Sequence, residues 1–116
     1  MQYEPQQGDI VLLDFDPQSG REQKGTRPAL IVSNAAFNRF TKLAMVCPIT
    51  STDNGFPLHI PLDERTRTQG VVLCEQVKSL DLSARNAKRF EAVPEDILEE
   101  VADLIAQFVG ITKERK

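Results

Sequence analysis

Short apolar, β-rich runs separated by polar, glycine- and proline-bearing stretches occupy most of the chain. Residues 8–15 read as a first strand, broken by the turn-forming Asp16-Pro17-Gln18-Ser19-Gly20. Residues 27–33 form a second run, too short for a stable helix. Residues 34–40 fit a short helical turn, and residues 43–49 a third strand closed by Pro48-Ile49-Thr50. A polar loop, Ser51-Thr52-Asp53-Asn54-Gly55, follows. Residues 58–62 alternate around Pro61, which predicts an edge strand. Residues 70–77 predict a strong strand, residues 79–82 its continuation, and residues 88–93 a shorter one.

The period then changes. Ile97, Leu98, Val101, Leu104, Ile105 and Phe108 recur at helical spacing and predict one buried face. Pro94 suits the first turn, and Glu95 and Asp96 suit the positive end of the helix dipole. Gly110 is a natural stop. The acidic run that includes Glu99, Glu100 and Asp103 is the solvated face of this helix. Many short strands followed by one helix predict a mainly β fold, a small antiparallel barrel or sandwich packed on a C-terminal α-helix. Residues 1–110 are read as one domain and residues 111–116 as a charged tail.

Composition narrows the classes. The 116 residues contain no apolar run able to span a bilayer, and Met1-Gln2-Tyr3-Glu4-Pro5 lacks the basic and apolar regions of a signal peptide, so a cytoplasmic protein is expected. Cys47 and Cys74 lie inside apolar runs, which reads as two small buried hydrophobes with neither a disulfide nor a zinc site. The net charge of -3 argues against nucleic-acid binding by bulk electrostatics. The acids, however, crowd the last helix, while Arg21, Lys24 and Arg27 cluster, leaving room for a local basic groove.

That basic cluster belongs to the stretch with the strongest chemical signal. Gly20-Arg21-Glu22-Gln23-Lys24-Gly25-Thr26-Arg27-Pro28 leads straight into the apolar Ala29-Leu30-Ile31-Val32. It reads as an exposed loop that brings a carboxylate and a guanidinium to the mouth of a strand. A planar, permanently charged guanidinium suits phosphate recognition; the simpler reading is a surface ion pair of little energetic weight.

The ordered motifs resemble the MazF/PemK (Kid) family of bacterial toxins along nearly the whole chain. They are Gly8-Asp9-Ile10-Val11, Asp14-Phe15-Asp16-Pro17, Glu22-Gln23-Lys24-Gly25-Thr26-Arg27-Pro28-Ala29 and Ala36-Phe37-Asn38-Arg39, then Pro48-Ile49-Thr50-Ser51, Gly70-Val71-Val72 and Glu75-Gln76-Val77-Lys78-Ser79, closing with Ala84-Arg85 and Lys88-Arg89. The resemblance implies an SH3-like barrel of the CcdB/PemK/MazF type. It also implies a homodimeric, metal- and cofactor-independent endoribonuclease that cuts single-stranded RNA, leaving 2′,3′-cyclic phosphate and 5′-hydroxyl ends. A cognate MazE-like antitoxin would hold it inactive.

Such cleavage must take a proton from the 2′-oxygen, stabilise the phosphorane and return a proton to the 5′-oxygen. The resemblance places Arg27 and Thr50 at the centre. Arg27 can hold two non-bridging phosphate oxygens and is a candidate donor to the leaving oxygen, and Thr50 can donate to the developing oxyanion. The alternative for Thr50 is a loop-start residue bonded to backbone. Glu22 is the first choice as base or as orienter of Arg27, and Glu75 the second. The Kid/PemK branch pairs an acid at the Glu75 position with an arginine two residues earlier; here that residue is Leu73, so Glu75 and Gln76 read rather as contacts to base edges. His59 is the only histidine, which excludes a histidine pair within one subunit, and it is read as a structural or surface residue because nothing beside it resembles a catalytic partner.

The resemblance lines the RNA groove with the loops at residues 16–24 and 51–57. Ser19, Gln23, Lys24, Ser51, Phe56 and Lys78 join Glu75 and Gln76 as expected substrate contacts. With no tryptophan and few aromatics, recognition is expected to rest on hydrogen bonds more than on stacking. Two competing readings are a non-catalytic RNA- or peptide-binding barrel and a CcdB-like gyrase poison. Proteins of the latter kind end in Trp-Gly-Ile, where this chain has Val109-Gly110-Ile111.

Overall fold

A computed structural model of the chain describes residues 3–14 and 26–113. In order it holds β1 (Asp9–Leu13), β2 (Arg27–Ile31), α1 (Ala35–Thr41), β3 (Ala44–Thr50), β4 (His59–Pro61), β5 (Val71–Leu73), β6 (Lys78–Leu80), β7 (Lys88–Ala92) and α2 (Glu95–Phe108). Every pairing is antiparallel, in the order β4-β5-β3-β2-β1-β7, with β6 also on β3. The proline-bearing β4 is an edge, as Pro61 predicts.

The central strands read as continuous apolar runs because both of their faces are buried. Ile10, Leu30, Cys47, Ile49 and Val72 pack on one face with Ile97 and Val101 of α2. Val11, Leu13, Ala29, Ile31, Ala44 and Val46 fill the other with Leu80 and Leu82. Successive side chains alternate between the two. Both cysteines are buried free thiols, and burial pushes them up, Cys74 to about 11. Neither is a nucleophile at neutral pH.

Both helices have local causes. Asn34 caps α1 by accepting from the Phe37 amide at 2.9 Å, and Lys42 ends it in the left-handed region. Pro94 stands just outside α2 as its cap, one position earlier than expected, with Glu95 and Asp96 in the first turn. Phe108 departs from the expected buried face: it is 39% exposed, and Val109 and Ile111 beyond it are more so. The core ends at Leu104 and Ile105, one turn short of the apolar pattern.

The strand expected over residues 70–77 is also corrected. β5 stops at Leu73, and Cys74–Gln76 form a 3-10 turn before β6 resumes along the same edge of β3. Residues 78–80, rather than 79–82, continue the edge, and Leu82 begins a second such turn. Cys74 stays buried while Glu75 and Gln76 project outward, because two adjacent polar residues cannot both point away from a two-sided core.

Glu91 of β7 anchors the segment before β5. It accepts from the Arg67 and Thr68 amides at 3.0 and 2.8 Å and from the Thr68 hydroxyl at 2.7 Å. Burial alone would raise its pKa, but these hydrogen bonds outweigh it and hold the carboxyl below the usual range. The stability it contributes is present above the unfolded value of about 4.3 and is lost as pH falls through the lowered folded value. Urea midpoints should therefore show wild type more stable than Glu91→Gln at about pH 6 and the gap closing toward about pH 3. A gap that does not change with pH would contradict this account.

Candidate active site

Strand register assembles the centre of the site. β2 and β3 pair Ala29 with Pro48, Leu30 with Cys47 and Ile31 with Val46. Continued by two residues, the same register sets Arg27 opposite Thr50, at the end of both strands. Arg27 shares its face with Ala29 and Ile31, and Thr50 shares the same face through Ala44 and Val46, so both lie on the side away from α2. Arg27 is exposed, and Thr50 is half-buried.

Thr50 is fixed from two directions. Its Oγ1 accepts from the Thr52 amide at 3.2 Å, which is the backbone bond expected of a loop-start threonine. A hydroxyl that accepts there still has its proton to donate. On the other side Thr50 pairs with Val71, and Gly70 presses on the Thr50 carbonyl so closely that a Cβ at Gly70 would lie 2.1 Å from the oxygen. Gly70 has φ +122, a conformation that side chains rarely adopt.

Glu75 and Gln76 face solvent on the 3-10 turn, so the argument that residues two apart share a strand face does not apply to Leu73 and Glu75. Leu73 instead pairs with His59 across β4 and β5. His59 does have a partner: its Nε2 lies 3.3 Å from Glu75 Oε2. The expectation that nothing of catalytic type stands beside it is overturned, because the turn swings Glu75 back over the edge strand. The adjacent Glu-Gln pair, a break in strict alternation, was the available signal.

Ser51 and Phe56 lie in an exposed loop built from successive side-chain turns. Gly55 donates to Asp53 at 2.9 Å, and Phe56 donates to Asn54 at 3.2 Å. Phe56, 42% exposed, sets its ring against His59 at 5.1 Å and 69°. Lys78 is exposed at the start of β6. Glu22, Ser19, Gln23 and Lys24 lie outside the described residues, as does the loop expected at residues 16–24.

Other motif residues build the frame. Asp9 is held by the Tyr3 hydroxyl at 2.5 Å and by Arg89 Nε at 3.1 Å, tying β1 to β7. Burial, then the bond to Asp9, raises the Tyr3 phenol well above its ordinary value. Arg85 Nη1 donates to the Asp14 carbonyl at 3.1 Å where β1 ends. Among the described residues no helix is long and apolar enough to cross a membrane, and no three His, Cys, Asp or Glu side chains are grouped to hold a metal ion.

The fold is a small antiparallel β-domain with a C-terminal helix, in which Arg27 begins β2 and Thr50 ends β3. The chain matches the family of PemK-like, MazF-like toxins of type II toxin–antitoxin systems over residues 6–109, and it belongs to that family. It is 48% identical to the endoribonuclease PemK of Escherichia coli over 101 residues, 83% of this chain and 75% of that protein. A crystal structure of MazF from Deinococcus radiodurans matches with TM-score 0.82 and 40% identity, over 95% of this chain and 100% of that one. A MazE–MazF crystal structure from the same organism matches with TM-score 0.84 and 38% identity, over the same shares.

Proposed function

We propose that this chain is an endoribonuclease toxin that cuts single-stranded RNA at a short base sequence without a metal ion. The observation that supports the reading is the β2–β3 register, Ala29 with Pro48 and Leu30 with Cys47, which runs toward Arg27 and Thr50 at the same end of the two strands, in a chain 48% identical to an endoribonuclease. A carboxylate, Glu22 or Glu75, accepts the 2′-hydroxyl proton as the 2′-oxygen attacks phosphorus. Arg27 holds the non-bridging oxygens, and each charge-assisted bond contributes roughly 1.5–3 kcal/mol. Thr50 donates to the developing oxyanion. The bond from phosphorus to the 5′-oxygen breaks, and that oxygen takes a proton with Arg27 as candidate donor, leaving a 2′,3′-cyclic phosphate and a 5′-hydroxyl.

Ser19, Gln23, Lys24, Ser51, Phe56, Glu75, Gln76 and Lys78 contact the RNA in this reading. The matched MazE–MazF complex supports a MazE-like antitoxin as partner. Phe108, Val109 and Ile111, left exposed at the end of α2, support a homodimer. The toxin acts in the cytoplasm, where its RNA substrate is made.

Thr50 gives the direct test of the chemistry. Thr50→Val keeps the shape but loses the donor, and it should cut RNA about 100- to 1,000-fold more slowly than wild type, while Thr50→Ser keeps much of the rate. A Thr50→Val protein of wild-type rate would remove Thr50 from the reaction.

A further inference from the structure

The chain's single histidine stands where two elements of the site meet. His59 lies on β4, 8% exposed by its side chain, with Nε2 at 3.3 Å from Oε2 of Glu75, whose own side chain is 28% exposed. Its Nδ1 is enclosed and has no hydrogen-bond partner among the described residues. The Phe56 ring packs against the imidazole, and the His59 amide donates to the Phe56 carbonyl at 3.1 Å. One side chain therefore ties the loop at residues 51–58 to the Cys74–Gln76 turn.

These contacts limit what the imidazole can do. Facing a carboxylate, Nε2 is the nitrogen that can donate, and Nδ1 lies enclosed without a partner among the described residues. Neither nitrogen is placed to meet RNA, since one is engaged and the other enclosed. Glu75 is the member that meets solvent. Its second oxygen, Oε1, makes no hydrogen bond among the described residues. A glutamate on an exposed turn samples several rotamers, and a bond from an imidazole that is itself packed removes most of them.

We propose that His59 is a positioning residue that holds Glu75 through Nε2–H···Oε2, so that Oε1 is presented to RNA as a fixed acceptor. This rests on the ribonuclease reading above, and it assigns Glu75 a working orientation that the 3-10 turn alone does not supply. Phe56 serves the same arrangement as packing for the imidazole.

The test combines kinetics with a readout that needs no activity. His59→Leu and His59→Gln are made alone and with Glu75→Ala, each checked for folding by its urea midpoint. Nitrogen NMR of the lone imidazole is recorded in wild type and Glu75→Ala. The ring signals should place the proton on Nε2 in wild type, and Glu75→Ala should release that preference. His59→Leu should lower kcat/KM about 10- to 100-fold, the scale of a misplaced catalytic group. His59→Gln, whose amide can still donate, should recover most of the rate. On the Glu75→Ala background His59→Leu should add no more than about twofold. A proton on Nδ1 in wild type, a His59→Leu rate equal to wild type, or a full additional loss on Glu75→Ala would each overturn the proposal. Intact RNA with wild-type protein would defeat the ribonuclease reading instead, and the ring signals would still decide whether His59 holds Glu75.

Discussion

Arg27→Ala should remain folded and cleave RNA about 100- to 1,000-fold more slowly than wild type, the scale of losing one preorganised oxyanion donor. Arg27 is exposed at the first position of β2, outside both core clusters, so its removal should change stability by no more than about 1 kcal/mol. The β2–β3 register runs toward Arg27 and Thr50 at one end of the two strands, and in the proposed mechanism the Arg27 charge meets the phosphate there. Arg27→Lys should also be slow, because an ammonium is a point charge and cannot hold two phosphate oxygens in a plane. Cleavage rates under single-turnover conditions, read beside urea midpoints, separate chemistry from folding. A folded Arg27→Ala protein of wild-type rate would take Arg27 out of the centre.

Gly70→Ala should be the most damaging single methyl in the described chain. The added Cβ would meet the Thr50 carbonyl oxygen at 2.1 Å and the Ser51 Cα at 3.0 Å, and the backbone itself sits at φ +122. Neither neighbour is a flexible side-chain tip, so β3 and β5 must part at Thr50 or the variant must lose about 3 kcal/mol or more. Gly55→Ala is the control. Gly55 has φ +81 but nothing within 4 Å of an added Cβ, so only the left-handed strain of roughly 1–2 kcal/mol applies. Urea unfolding of the two variants isolates the contact from the strain. Equal losses would show that the approach to Thr50 carries no weight.

The fold was legible wherever one physical rule acted alone. β1, β2, β3 and α2 follow from runs and periods, and the edge position of β4 follows from Pro61. Where rules compete, the pattern of residues misleads. An apolar run from Gly70 looks like one long strand, yet Glu75 and Gln76 cannot both leave a core that covers both faces, so the chain spends Cys74–Gln76 on a turn. Phe108 continues the helical period one turn past Leu104 and Ile105, the last helix residues packed on the core. In the site, motif resemblance named Arg27 and Thr50, but only strand register sets them on one face. The contact of His59 with Glu75 joins residues 16 apart through a turn that alternation does not predict, so the sequence alone reads His59 as structural or surface.

Incubating the purified protein with a long single-stranded RNA in excess EDTA and mapping the new ends tests the metal-independent ribonuclease activity. Cuts at one recurring short sequence, each leaving a 2′,3′-cyclic phosphate and a 5′-hydroxyl, are the predicted result. RNA left intact by the folded wild-type protein, or cuts that appear only when a divalent metal is restored, would contradict it.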